Sequence, residues 1–582
     1  MLNQECDKDW EIHYGFMYSL LAVYRGQRAL LWVGPIVSLI ISPWTNFDPI
    51  SVVKALAMTT MSFYLLGILL TQIEYVKSRV QRAVTLTTAL FILFMVSTIL
   101  FSGAPLSQQF WGSFGRNTGF LTYLSLAIIL FAAYVLSDFE MIKKLGWSIV
   151  LTAVPTTLYA LVQIQGKDPI KWSELRAFAT FGNINFLSAF LGISSVVATI
   201  VAIRASLNPI LRLLLLVLTI VDLVIIESTG SIQGLIIYVG GIGLFLLLTL
   251  LASKRYKLLS IPYLAASITA IYFGVIGLVG KGPLASFLFQ PSNAFRGDYM
   301  HAGWAMTLKK PFFGVGMDSY GDWYRELRGF ISTTRTGPDR ISNSAHNIYL
   351  DVSSYGGFPL FLAFVSFSIL VIYSFTRYFI NARKQLDPFV IAVFCGWAAY
   401  QIQALISINQ IAVGIWGWLF TGALLGLLRY QNIAVEDKKQ GSSRDQMSPL
   451  LMQKKLRGQL LPAKISLQVF GLTVVGFVMA FFPAYADSKY FSATSSGDVT
   501  VMKSATEFPG TSLFHLTLTA DRFRNMGATE EAKSMLKVLT QRYPRDFYSW
   551  RVIAYTDLFP VEDRQKALKV LKELDPYNPQ LQ

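Results

Sequence analysis

Apolar runs follow one another through most of this chain with little between them. They read at 29–43, 52–72, 83–101, 119–139, 147–165, 184–203, 211–228, 234–253, 258–280, 358–376, 388–407, 411–429 and 465–486. A bilayer core about 30 Å thick is crossed by roughly 20 helical residues. Hydrocarbon offers backbone amides no water, so a single-segment span must satisfy its own hydrogen bonds as a helix. The chain is 53% hydrophobic and only 14% charged, which leaves little material for a large soluble core. The pattern predicts an all-α, polytopic membrane protein with about 12–13 transmembrane helices.

The formal net charge of +16 would suit a nucleic-acid binder, but its placement argues otherwise. The basic residues gather in alternate connections: Arg25 and Arg28, Lys77 to Arg82, Lys143-Lys144, Arg204 with Arg212, Lys254 to Lys257, Arg377 with Arg383-Lys384, and the 430–464 segment. Such alternation marks cytoplasmic loops, with anionic lipid headgroups as partners and no nucleic acid. The expected order is a cytoplasmic N-terminal segment 1–28, a polytopic domain 29–429 with a large outer loop 281–357, a cytoplasmic linker 430–464, a last span 465–486 and an outer tail 487–582. No basic stretch with a cleavage site opens the chain, so no removed signal peptide is expected. Cys6 and Cys395 fall in different environments, so no disulfide is expected, and no Cys/His cluster has metal-ligand spacing.

The tail carries an internal echo. The string LKVL stands at Leu536–Leu539 and again at Leu568–Leu571, with Pro544 and Pro576 at the same offset behind each copy. A period near 34 built from helix pairs suggests a small tetratricopeptide-like domain. Two units are few for a free-standing array, so the tail is expected to pack on the outer loops or on a protein partner.

Candidate chemistry lies in loop 281–357. The segment Ser342–Gly357, SNSAHNIYLDVSSYGG, sets His346 just before an apolar run, one of only four histidines. An imidazole there suits acid–base work near neutral pH, with activity lost below about pH 6 if its pKa is ordinary. Tyr349, Leu350 and Ser353 would share its helical face. The loop opens with Arg296, followed by Trp304 and a Pro311-Phe312-Phe313-Gly314-Val315-Gly316 turn. Guanidinium groups grip diphosphate through paired N–H donors and keep their charge. A histidine beside them would take a proton from an attacking hydroxyl. No paired carboxylates suggest a metal–diphosphate site, so neither metal nor cofactor is expected. Asp222 and Glu227 read as the main charges inside spans.

Together these pieces resemble the O-antigen ligase and polymerase superfamily of membrane glycosyltransferases, over residues from about 100 to 430. His346-Asn347, nine residues and then Gly357 are similar to that family's His-(Asn/Ser/Gln)-x9-Gly motif. Arg296, Trp304 and the Pro311–Gly316 turn resemble the start of its large outer loop. Phe181-Gly182-Asn183-Ile184-Asn185 resembles its GNxNxxA helix start, and Phe114-Gly115-Arg116-Asn117 with Gly119 resembles its short Arg-Asn-x-Gly loop. One departure stands out: the family's Thr-x-Ser-Arg-Gly-type turn here reads Ser228-Thr229-Gly230-Ser231-Ile232-Gln233-Gly234, without the arginine.

The resemblance implies a GT-C-like enzyme that moves a glycan from an undecaprenyl-type polyprenyl diphosphate to an acceptor hydroxyl on the outer face of the cytoplasmic (inner) membrane, without a metal. The acceptor would be a glycan, a lipid or a protein. His346 would be the base or orient the acceptor, and Arg296 with Arg116 would hold the diphosphate. Asn347, Asn183 and Asn185 would bind sugar or phosphate, while Arg116, Arg335, Arg340 or Gln233 would stand in for the missing arginine. Two structural readings run beside these roles: Asn183 and Asn185 also suit a helix cap, and Arg116 an interfacial anchor. A lipid-linked glycan transporter or flippase, and a non-catalytic envelope-assembly scaffold, are the competing functions. The sparse charge inside the spans weighs against the transporter.

Overall fold

The computed structural model describes residues 2–172, 176–289, 291–382, 385–429 and 460–581, with side chains described from Met17 onward apart from Leu288's neighbour at 287, residues 291–294 and 336. Among them every regular element is a helix. The basic pair Arg383-Lys384 and residues 430–459 of the expected linker lie outside the described residues.

Eleven described helices are long and apolar enough to cross a membrane. They answer eleven of the expected runs. The run at 119–139 forms the shorter helix Phe120–Leu136, of 17 residues. The run at 29–43 begins in the last turns of one continuous helix, Leu2–Leu39, and ends just beyond it; that helix takes in most of the expected N-terminal segment. Starts are set by side-chain caps: Asp138 accepts from Met141 N at 2.7 Å, Asn208 from Leu211 N at 2.8 Å and Asp387 from Phe389 N at 2.8 Å. Pro209 and Pro388 follow two of these caps, where a missing N–H costs nothing. The Asp138 cap moves the start of helix Phe139–Ile164 upstream of Lys143-Lys144, so that basic pair sits on the first turns of a helix and not in a loop.

Helices Ile184–Arg204, Pro388–Ile406 and Ile411–Leu425 form the middle of the bundle and are almost wholly buried, whereas Ser260–Leu278 lies at the edge with its apolar side chains exposed. Buried polar groups tie the spans together. Asp222 accepts from Thr157 Oγ1 at 2.5 Å and from Ser195 Oγ at 3.2 Å, joining three helices. Lys54, overlooked as a charge within a span, is fully buried. Its Nζ donates to the carbonyls of Val37, Ser38 and Ile40 at 2.8–2.9 Å and so caps the end of helix Leu2–Leu39.

The last span does not stop at 486. Helix Ala463–Ser496 runs on into the tail, where Tyr490 and Ala493 join a core with Met502, Leu516, Phe523 and Leu539. Helices Leu513–Asn525 and Thr529–Arg542 pack as one pair, and Phe547–Tyr555 and Val561–Leu574 as another. Both LKVL strings fall at the same point of the second helix of each pair.

The tail packs on the membrane domain's loops. Phe514 stacks on Phe114, 4.3 Å between centroids, and Tyr543 OH meets Ser107 Oγ at 3.1 Å. The main tie is a buried fork: Arg328 Nη2 donates to both carboxylate oxygens of Asp575 at 2.8 Å, and Arg325 Nη1 donates to Asp575 Oδ2 at 3.1 Å. Arg545 pairs with Glu326 and lies over Trp323, 3.6 Å from the ring centroid. The tail therefore lies on the same side of the bundle as loops 102–118 and 281–357.

Asp575→Ala leaves Arg328 buried without its counter-charge, at a cost of about 3–5 kcal/mol. The expected result is faster protease release of the tail from the full-length protein. A combined Arg328→Met, Asp575→Leu protein should recover much of the protection. Wild-type protection in Asp575→Ala alone would mean that docking does not depend on this fork.

Candidate functional site

Residues 311–316 and 342–357 interlock, and this fixes where His346 stands. Helix Ile348–Asn381 is broken at Gly356 and Gly357, the latter at φ +67°. A Cβ on Gly357 would run into the Pro311 carbonyl, and one on Gly314, at φ +61°, into the Tyr355 carbonyl. Only glycine allows this approach. Across it, Val315 N donates to Ser354 O at 2.8 Å, Gly316 N to Tyr355 O at 3.1 Å and Phe358 N to Pro311 O at 2.8 Å.

The first turn of the same helix holds the histidine. Asn347 is its cap, accepting from Leu350 N at 3.1 Å. Asp351 accepts from Ala345 N at 2.7 Å and from Ser344 Oγ at 2.8 Å, and Ser344 Oγ in turn accepts from His346 N at 3.0 Å. His346 is held at φ +54°, a left-handed conformation that a non-glycine residue adopts only when its surroundings impose it. Asn117 and Asp318, both close by, share it. Asp318 Oδ2 accepts from Ser113 N and Thr118 N, and Tyr355 OH donates to its Oδ1, so it binds the short loop of Arg116 to the long one.

Two arginines act on His346. Arg296, on helix Pro291–Lys309, is partly buried and donates through Nη1 to the Ile406 carbonyl at 3.3 Å. It enters no ion pair among the described residues, and burial draws its pKa down, partly offset by Tyr299. Arg116 is buried; its Nη1 donates to the Asn343 carbonyl and, at 3.2 Å, to Asn343 Oδ1, while its Nε finds no partner. Burial, then the charges of Arg296 and Arg116, push His346 down to about 3. Its imidazole is therefore neutral throughout the physiological range. The expected loss below pH 6 assumed an ordinary histidine and is corrected by this environment. The ring beside it is also not Tyr349, which donates to Gln401 Oε1 at 2.6 Å, but Tyr299, 5.3 Å away between centroids.

The remaining candidates divide. Arg340 lies over the Phe295 ring at 4.4 Å and acts on Tyr299, so it borders the cluster. Arg335 is half-exposed and paired with Asp298 at 3.6 Å. Trp304 packs edge-on against Phe358. Asn183 caps helix Ile184–Arg204, accepting from Asn185 N at 2.8 Å. Asn185 accepts from Ser231 Oγ at 2.8 Å, and buried Gln233 donates to Gln403 Oε1, leaving its own Oε1 without a partner.

The end of helix Pro388–Ile406 joins the two groups, and sequence reasoning missed it. Gln403 takes Gln233, the Leu405 carbonyl takes Asn347 Nδ2 at 3.0 Å, and the Ile406 carbonyl takes Arg296. Tyr299, Asn343 and Asp351 were also missed. Tyr299 lies one turn after Arg296 and Asp351 one turn after Asn347, a spacing that was available. Among the described residues no group of three His, Cys, Asp or Glu side chains is set to hold a metal ion.

Residues 213–365 match the family model described as O-antigen ligase. The match takes in Gln233, Arg296, Trp304, Arg335, Arg340, His346 and Asn347, and leaves Arg116, Asn183 and Asn185 outside it. Together with the apolar helices it supports the O-antigen ligase superfamily, and with it lipid-linked glycan transfer in general, for a multi-pass membrane protein. No curated protein matches the chain.

Carbethoxylation by diethyl pyrocarbonate reads the neutral imidazole directly. Because the folded pKa is depressed, the reactive form persists as pH falls and is lost only near the depressed value. His346, followed by peptide mass spectrometry, should keep its reactivity from about pH 7 to about pH 5, where an ordinary imidazole becomes protonated. Arg296→Ala removes a positive neighbour and should move the midpoint up. A wild-type midpoint near 6.5 would refute the assigned environment.

Proposed function

We propose that the protein transfers a glycan from a polyprenyl diphosphate carrier, of undecaprenyl type, to an acceptor hydroxyl on the outer face of the cytoplasmic membrane. The observation that carries this reading is a partly buried arginine with no ion pair among the described residues, Arg296, flanking a neutral histidine together with Arg116. A desolvated guanidinium is a strong anion site. A histidine kept neutral by burial and by these cations gains proton affinity once the diphosphate's negative charge offsets them, and can then accept a proton.

In the proposed reaction the acceptor oxygen attacks the anomeric carbon of the donor sugar. The bond from that carbon to the diphosphate oxygen breaks, and the diphosphate leaves with the electron pair. Arg296 and Arg116 stabilise the charge that builds on it, while the hydroxyl proton passes to His346. Asn347, Asn183, Asn185, Gln233, Arg335, Arg340 and Trp304 belong to this proposal as substrate contacts, with Asn347 and Asn183 also acting as helix caps. No metal is needed where arginines take the leaving-group charge. The tail is proposed to lie outside as a tetratricopeptide-like domain. The glutamine at position 233 is the one feature that favours a non-catalytic scaffold.

In a transfer assay with a polyprenyl diphosphate oligosaccharide and a panel of acceptors, His346→Ala should lower turnover about a hundredfold. His346→Asn should be as poor although asparagine tolerates the left-handed backbone, which separates chemistry from folding. Arg296→Ala should cost at least about tenfold, roughly 1.4 kcal/mol, and Arg296→Lys should still cost activity because the planar fork is lost. Near-normal turnover in His346→Asn would defeat the base assignment. Normal complementation by it in cells would favour the scaffold.

The same assay run in excess EDTA should proceed at an unchanged rate. Complete loss that divalent ions restore would transfer the leaving-group role from arginine to metal.

A further inference from the structure

A cavity of about 340 Å³ opens where the tail meets the outer loops. This is within the range of about 300–1,000 Å³ usual for small-ligand sites. One wall comes from residues near 107–117 and 318–343, the other from the tail near 510–548. Its aromatic lining includes Trp111, Phe514, Tyr543 and Tyr548.

Its polar lining combines carboxylates, side-chain amides and hydroxyls. Gln108 and Asn117 are more than nine-tenths buried, and among the described residues Gln108 Oε1 and Asn117 Oδ1 have no partner. The Gln108 amide cannot turn to relieve this, because its Nε2 already donates to Asp322 Oδ2 at 2.9 Å. Buried carbonyl oxygens of this kind normally find a donor. Asp318, Asp322, Asp546 and Asp487, the last paired with His515, also line the space, and among the described residues no Lys or Arg does. Burial pushes Asp322 up to about 7 and raises Asp546 as well. Such a wall offers a diphosphate no cation and suits a ligand that brings many hydroxyl donors and an apolar ring face. Asn343 is shared between this cavity and the arginine site, since it also receives Arg116.

We propose that this seam is a carbohydrate subsite that holds a hydroxyl-rich sugar ring of the glycan handled at His346, with the tail supplying one wall. The proposal rests on the glycan-transfer reading for the source of its ligand. That ligand is either the donor's glycan or the acceptor's.

The test uses full-length protein in nanodiscs and two radiolabelled probes. One is oligosaccharide released by mild acid and phosphatase from the producing cells' lipid-linked pool. The other is glycan from their envelope acceptor fraction. At least one probe should bind wild type and His346→Asn alike; the one that binds identifies the source. Thr517→Trp fills the cavity from the tail side, and Tyr548→Ala removes an aromatic wall. Both should weaken binding at least tenfold while the tail stays protected from protease. Binding of neither probe, or undiminished binding in Thr517→Trp, overturns the subsite. Probe binding that coexists with normal transfer by His346→Asn would instead overturn the catalytic reading and leave the subsite standing.

Discussion

A helix that ends at the membrane lip leaves its last carbonyls without partners, and the site is assembled on that deficit. The final turn of Pro388–Ile406 offers its Leu405 and Ile406 oxygens to Asn347 and Arg296, while Gln403 holds Gln233. Three segments distant in sequence are thereby gathered at one point. The interaction also explains how Arg296 remains without a carboxylate: a neutral carbonyl steers the guanidinium without cancelling its charge. An aspartate in that place would fix the side chain equally well but leave less field for an incoming anion.

The membrane architecture was legible because its signals are local. Run length and the break at Gly356–Gly357 need no knowledge of neighbours. What escaped depends on pairing across the fold. Lys54 reads as a charge misplaced in a span until the open end of helix Leu2–Leu39 is set beside it. Likewise, Lys143-Lys144 looks like a loop until Asp138 starts the helix early.

The site was legible in part for the same reason. His346, Arg296 and Arg116 were singled out as residue types, and the fold brings their charges together. The histidine's proton affinity was misjudged because burial and two distant cations set it. Tyr299 displaced Tyr349 because the helical face of residues 346–353 was read as continuous, whereas His346 lies before the helix at a left-handed φ. Asn183 proved to be a cap, so the binding proposed for it would be a second use of an already occupied oxygen.

Helix Ala463–Ser496 is a span at one end and part of the tail's core at the other, and it runs on through Pro483 between them. An α-helix advances about 1.5 Å and turns about 100° per residue. The facing of the tail is thus set by the rotational phase with which this rod leaves the bilayer. One residue gained or lost near Phe482 would swing the Asp575 carboxylate away from Arg328, even with every tail residue intact. In this protein the phase of one membrane helix also acts as the gauge that aligns the tail.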